Sequence, residues 1–364
     1  MEQQRKMRVG IVYGGKSGEH EVSLSTAFAV TNAFDYDKYE LVPFYITKAG
    51  EWRVGELRNG PFRDASELTL ESADGNTVAA MAMLFAGVDS GEKAIDVMFP
   101  LVHGTYGEDG TIQGLFEMAN IPYVGAGVLA SSVGMDKAFM KQAFAAEGLP
   151  QCDYVDFIVT EWKNEQEQVI IDIEELLGYP CFVKPANLGS SVGISKARNR
   201  DELIASIELA LSYDRKVVVE EFVDAREIEV AVLGNDEPQA SVPGEIISGH
   251  EFYDYKAKYT DGKSQMAIPA PIDEELADTI RAMAEVAYRA IDGSGLARVD
   301  FFVRRSDNEI FINEVNTMPG FTPFSMYPLM WNETGLSYRE LLDRLIELAM
   351  ERYEAKQKLH YTNI

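Results

Sequence analysis

The 364-residue chain is poor in cysteine, histidine and positive charge, and each shortage excludes something. Its two cysteines, Cys152 and Cys181, lack Cys-x-x-Cys spacing and cannot build a disulfide framework, which suits a reducing, cytoplasmic compartment. The four histidines (His20, His103, His250, His360) show no metal-ligand spacing, so a zinc site is not expected. No run of about 18 apolar residues occurs, so no membrane-spanning helix is expected. Met1 to Val9 is polar and has no apolar signal-peptide core. Lys and Arg together number 33 against 59 Asp and Glu, a formal net charge of −26. So acidic a chain repels phosphate backbones, which argues against a nucleic-acid partner, and the plain reading of the charge is solubility. It also makes the few cations inside strands or glycine-rich loops informative, because an acidic protein that handles nucleotide must concentrate positive charge locally.

What is present is ordinary for a globular protein: 46% hydrophobic and 25% charged residues, with a length that suits two or three domains. Arg8 to Tyr13 is a short apolar run ending at Gly14-Gly15 and reads as a buried strand and turn. Ser23 to Phe34 reads as a helix, Leu41 to Ile46 and Ala94 to Val102 as strands. Strands alternating with helices imply an α/β unit with an open parallel sheet. A second unit starts near Asp136, a plausible N-cap for a helix over 137–147, followed by strands at 179–184, 192–195 and 216–222. The remainder carries strands at 227–233, 297–304 and 310–315, a helix over 273–291 with Leu276, Ile280, Met283 and Ala287 on one face, and a last helix opened by a Ser337/Glu340 capping box.

Gly10 to Ser17 matches the letters of a P-loop, GxxxxGK[ST]. The mechanism needs the central residues in a loop whose amides wrap phosphate, yet Ile11, Val12 and Tyr13 continue the apolar strand. The better reading is a tight turn that brings Glu19, His20 and Glu21 to the ligand-binding end of a sheet. Two other clusters carry more. In Ala297–Phe302 and Ile312–Thr317, period-two alternation puts Arg298 with Asp300, and Glu314 with Asn316, each pair on one face of a strand. Ser306-Asp307-Asn308 is a turn signal, so the strands should form a hairpin that makes Asp300, Glu314 and Asn316 neighbours. Two carboxylates and an amide oxygen suit Mg²⁺; the bland alternative is a solvated hairpin face. Lys184 ends an apolar strand before Gly189-Ser190-Ser191, where amides and hydroxyls can donate to phosphate. Alone this loop is weak, but nucleotide phosphates need both clusters. Val218 to Val223 reads as a hinge strand able to pair with adenine, or as plain core strand with surface acids. Phe252 to Gly262 reads as a lid or as a merely exposed loop. His103 to Gly110 follows a buried strand, and Gly320 follows Asn316 closely enough to offer an oxyanion donor beside Arg298.

Taken together, GGKSGEHEVS (14–23), HGTYGEDGTIQG (103–114), KPANLGSSVG (184–193), YDYKAKY (253–259), ARVDFF (297–302) and NEVNTMPGFT (313–322) resemble the D-alanine–D-alanine ligase family of the ATP-grasp group, over about residues 7–350. The resemblance implies an ATP-grasp fold in three domains: 1–132 with an open parallel sheet, 133–225, and an α+β catalytic part at 226–364 with a lid at about 248–265. It implies ATP and two Mg²⁺, or Mn²⁺, as cofactors, D-alanine as substrate, and a homodimer. Lys137, Lys184, Ser191 and Lys258 would contact phosphates. Glu220, Glu221, Val223 and Glu227 would hold adenine and ribose, while Asp300, Glu314 and Asn316 would bind metal. Glu21, near His103, would anchor the first D-alanine, and Glu21, Ser190 and Tyr259 would lock the lid. Arg298 and Gly320 would stabilise the oxyanion, and Ser325 and Met326 would bind the second D-alanine. Relatives that make D-alanyl-D-lactate or D-alanyl-D-serine generally lack a tyrosine at the position of Tyr259, so its presence resembles the dipeptide-forming members. A P-loop kinase centred on Lys16 and a non-catalytic nucleotide-binding regulator are the rival readings.

Overall fold

The structure is a computed structural model that describes residues 5–71, 77–86, 94–247 and 265–360. Three sheets organise it. The first contains β1 (Met7–Gly14), β2 (Tyr39–Ile46), β3 (Trp52–Val54) and β4 (Val97–Pro100) in the order β3-β2-β1-β4. β1 pairs in parallel with β2 and β4, as the alternating pattern predicts, and β3 adds an antiparallel edge. β1 is buried from Val9 to Gly14 because helices cover both faces, hence its unbroken apolar run. Helices α1 (His20–Ala33), α2 (Thr77–Phe85) and α3 (Thr111–Met118) belong to this part. α1 starts three residues earlier than the sequence predicts, with Glu19 at its N-cap position.

Helices α4 (Val128–Met135) and α5 (Lys137–Ala146) follow, the Asp136 carboxylate capping α5 by accepting from the Ala138 and Phe139 amides. The second sheet holds β5 (Tyr154–Ile158), β6 (Cys181–Pro185), β7 (Ser195–Ala197) and β8 (Lys216–Glu221), antiparallel in the order β5-β8-β6-β7. Helices α6 (Val159–Leu176) and α7 (Arg200–Leu211) pack on it around Trp162, Ile173, Leu203 and Val219.

The third sheet runs β12-β11-β9-β13-β14, with β9 (Ala225–Gly234), β10 (Gln239–Ala240, paired to β9), β11 (Gly244–Ile247), β12 (Gln265–Ala267), β13 (Gly295–Arg304) and β14 (Ile310–Asn316). Helix α8 (Glu274–Ala290) lays the expected stripe of Leu276, Ile280, Met283 and Ala287 against it. Helices α9 (Met326–Thr334) and α10 (Tyr338–Gln357) close the chain, α10 opened by the expected capping box.

Packing crosses the boundaries read from sequence. Met140 and Phe144 of α5 share a core with Ile312 and Val315 of β14, so this helix lies on the third sheet rather than the second. Val9, Ile11 and Phe99 of the first sheet share another core with Leu233, Tyr327, Leu341 and Leu345. Among the described residues no helix is long and apolar enough to cross a membrane.

Candidate active site

β8 leaves the second sheet at Glu221 and the chain enters the third at Ala225, so residues 222–224 bridge two sheets over a cleft of about 520 Å³. Lys137, Lys184, Ser191, Glu220, Glu221, Val223 and Glu227 all line this cleft, between the apolar walls of Phe182, Ile228 and Phe302. Asp300 and Glu314 close its far end. The glycine-serine turn and the late hairpin therefore converge on one space, as the sequence requires if both serve a triphosphate. The turn is strained: Ser190 and Ser191 have φ of +51° and +58°. Such left-handed conformations cost a non-glycine residue of order 1–3 kcal/mol each and concentrate at ligand clamps. The Asn187 amide group anchors the turn, donating to Asp136 at 3.2 Å and to Asp214 at 3.0 Å.

The charges here are buried and paired. Lys184 Nζ lies 2.5 Å from one oxygen of Glu220, and Lys141 Nζ lies 3.1 Å from the other. Burial opposes ionisation of Glu220, but the two lysines outweigh it and hold its pKa down to about 2. Burial likewise works against Lys184, and Glu220 outweighs it, raising the lysine above its usual range. Lys141, 1% exposed, was missed by the sequence reading. Its position four residues after Lys137 puts both lysines on one face of α5 and was the available signal. Lys137 donates to the Leu188 carbonyl at 2.8 Å and lies 3.7 Å from Glu314.

In the hairpin, Arg298 pairs with Asn316 and Asp300 with Glu314 across the ladder. Arg298 grips Asp300 with two bonds of 2.7 Å, and Asn316 donates to the same carboxylate at 2.9 Å. Burial opposes the Arg298 charge, but Asp300 and Glu229 outweigh it and raise its pKa. Asp300 and Glu314 stand directly opposite each other, with Arg298 and Lys137 as their present counter-charges, and their carboxylate oxygens are donors of the kind a divalent ion such as Mg²⁺ takes. Among the described residues no three His, Cys, Asp or Glu side chains cluster as a complete metal site. An ion here would draw its other oxygens from Asn316, the ligand and water, as Mg²⁺ usually does.

A second cleft of about 610 Å³ adjoins the first and shares Arg298 and Glu229 with it. Glu19, His103, Ser190, Asn316, Gly320, Ser325 and Met326 line it. Here the structure corrects one expectation. The Ser190 hydroxyl donates to Glu19, not Glu21. The Glu21 side chain is 72% exposed and pairs with Lys48 at 2.7 Å, touching only the rim of the cleft. The cause is the early start of α1, which leaves Glu19 in the turn and rotates Glu21 outward. A Cβ at Gly104, whose φ is +75°, would strike the Glu19 carboxylate, so glycine lets the two segments meet. We expect Glu19→Gln to lower kcat/KM about tenfold or more, the scale of one charge-assisted bond, and Glu21→Gln to leave it within about twofold, as for a surface ion pair. Steady-state kinetics of the two variants check this, and the reverse ranking would refute it.

His103 is buried, its ring between Thr26 Oγ1 at 3.1 Å and the Met318 carbonyl at 3.2 Å. Burial lowers its basicity, but Glu108 outweighs this and raises it. Met326 is buried, packs in the core cluster that holds Tyr327, and also lines this cleft. Ser325 precedes α9, and its hydroxyl accepts from the Thr322 amide at 3.1 Å. The amides of this helix start suit a carboxylate. Lys258 and Tyr259 lie outside the described residues. β1 continues through Gly14 and Lys16 is exposed, which rules out the P-loop.

The D-ala D-ala ligase N-terminus matches residues 8–126 and the D-ala D-ala ligase C-terminus matches residues 143–347. The chain belongs to the D-alanine–D-alanine ligase family. A D-alanine–D-alanine ligase of Bacillus licheniformis is 55% identical over 361 residues, covering 98% of this chain and 99% of the relative. Among solved structures, the VanG D-Ala:D-Ser ligase from Enterococcus faecalis superposes with a TM-score of 0.82 at 37% identity, covering 95% of this chain and 100% of that one. The D-alanine–D-alanine ligase from Coxiella burnetii gives 0.80 at 33%, covering 97% and 96%. The fold is the ATP-grasp fold, and the family is ATP-dependent.

Proposed function

We propose that the chain joins two D-alanine molecules into D-alanyl-D-alanine at the expense of ATP, supplying peptidoglycan synthesis. The observation that carries this reading is the convergence of the strained Ser190-Ser191 turn and the Asp300/Glu314 hairpin on one cleft that adjoins a second through Arg298 and Glu229. In the first step the carboxylate of one D-alanine attacks the γ-phosphorus of ATP, forming an acyl phosphate and releasing ADP. In the second, the amine of the other D-alanine attacks the acyl carbon, and phosphate leaves with the electron pair of the broken C–O bond. The amine proton passes to solvent or phosphate.

Lys137, Lys184, Ser191 and Lys258 bind the phosphates, and Glu220, Glu221, Val223 and Glu227 hold adenine and ribose. Asp300, Glu314 and Asn316 would hold two Mg²⁺, or Mn²⁺, ions, which supply charge neutralisation on the polyphosphate. Glu19 takes the place first given to Glu21, binding the ammonium of the first D-alanine near His103 and locking Ser190 and the Tyr259 lid. Arg298 and the Gly320 amide stabilise the tetrahedral oxyanion. The Ser325 hydroxyl and the Met326 amide bind the second carboxylate. The division 1–132, 133–225 and 226–364 belongs to the same proposal and is supported by the three separate sheets. So do the homodimer, on the resemblance, and a cytoplasmic location, which suits two buried free thiols.

D-Lactate or D-serine as the second substrate is the alternative. Tyr259 and the 55% identity to a dipeptide-forming relative, against 37% to the D-Ala:D-Ser enzyme, favour D-alanine. With ATP and Mg²⁺, D-alanine should release ADP and phosphate and yield the dipeptide by mass spectrometry, and L-alanine should not. Depsipeptide or alanyl-serine as the main product from mixed acceptors would overturn the reading, as would ADP release independent of D-alanine.

A further inference from the structure

Three carboxylates stand in one row across the third sheet. Glu229 of β9 is the ladder partner of Asp300 on β13, which is the partner of Glu314 on β14. Directly paired residues project from the same face, so the row is a line of like charges. Asp300 and Glu314 have a place in the reaction. Glu229, 6% exposed, has none so far, yet it borders both clefts. Its carboxylate lies 3.1 Å from Nε of Arg298, and that same Nε donates to Asp300 at 2.7 Å.

Arg298 thus faces two acids, Glu229 buried and Asp300 half-buried, and one of them has a second task. When Asp300 turns its oxygens to a divalent cation, the guanidinium loses the partner that fixes it. A long, charged side chain released in this way would lose its aim at the reacting carbon, and misplacement of about 1 Å can cost a hundredfold in rate. Glu229 is already within reach of Nε and is held on a central strand. We propose that Glu229 is the positioning residue that holds Arg298 in place when Asp300 is engaged by metal. The proposal rests on the metal reading of the hairpin.

The test combines kinetics, metal binding and structure. Glu229→Gln should lower kcat about tenfold, the scale of one charge-assisted bond, with the KM for ATP near the wild-type value. In an Arg298→Ala background the same change should add less than about twofold, since residues acting as one unit are not additive. Binding of Mn²⁺ to the protein–ADP complex, followed by electron paramagnetic resonance, should be unchanged in Glu229→Gln and weakened in Asp300→Asn. A wild-type kcat in Glu229→Gln, full additivity with Arg298→Ala, or a loss of Mn²⁺ affinity as large as that of Asp300→Asn would overturn the proposal; the last would make Glu229 a metal ligand. Should Glu229→Gln fail to fold, a crystal structure of the wild-type protein with Mn²⁺ and ADP decides by itself. Asp300 on the ion with Arg298 on Glu229 supports the proposal, and Arg298 swung away from Glu229 refutes it. An ion bound elsewhere refutes the metal reading instead and takes the proposal with it.

Discussion

Arg298→Ala is expected to lower kcat at least ~100-fold, because loss of one oxyanion donor typically costs ~2.7–4 kcal/mol of transition-state stabilisation. The guanidinium borders both clefts, so it lies where an acyl group would pass from phosphate to amine. Its interaction strengthens only as negative charge gathers on the tetrahedral oxygen, so the loss belongs in kcat rather than in KM for ATP. The substitution also removes the cation between Asp300 and Glu229, so stability should be measured beside turnover. Arg298→Lys separates the two effects. It keeps the charge but not the planar fork that grips Asp300 with two bonds, and should leave kcat well below wild type while recovering much of the stability. Near-normal turnover in Arg298→Ala would remove Arg298 from the chemistry.

Local pattern carried the hairpin. Alternation put Arg298 with Asp300, and Glu314 with Asn316, on shared faces, and the Ser306–Asn308 turn announced the hairpin; the turn's own register would set Asp300 opposite Asn313, and a β-bulge between Asp300 and Phe301, unread in the sequence, is what brings Glu314 opposite Asp300. The apolar run of β1 was likewise enough to reject the P-loop. What escaped depended on tertiary register. Glu19 and Glu21 are two residues apart, and which one meets Ser190 turns on where α1 begins, a boundary that sequence pattern places only to within a turn. Glu229 shares a face with Glu227 by alternation, but only the pairing of β9 with β13 reveals that it stands opposite Asp300. The helix after Asp136 was legible as a helix, whereas its docking on β14 through Met140 and Phe144 was not, since an apolar stripe does not name its partner. β3, three residues long, is too short to show a period at all.

Glu220→Ala is expected to destabilise the fold by about 3–5 kcal/mol, the usual cost of stripping one partner from a buried ion pair. The carboxylate, 3% exposed, is the shared counter-ion of Lys141 and Lys184, which are 1% and 8% exposed. Its removal leaves two buried ammonium groups facing each other with no anion between them. Chemical denaturation at neutral pH reads the loss, and Glu220→Gln, which keeps the shape and a hydrogen-bond acceptor, should lose less. The pH dependence has a definite sign. The folded-state pKa of Glu220 lies below its ordinary value, at about 2, so its contribution is complete above the ordinary glutamate range near 4.5 and is lost as the pH falls toward 2. The stability gap between wild type and Glu220→Ala should therefore be constant from neutral pH down to about 5 and close progressively below that, on the scale of the ordinary glutamate pKa. A gap below about 1 kcal/mol, the level of a surface pair, or one that persists unchanged to pH 2, would show that Glu220 does not hold the two lysines in place.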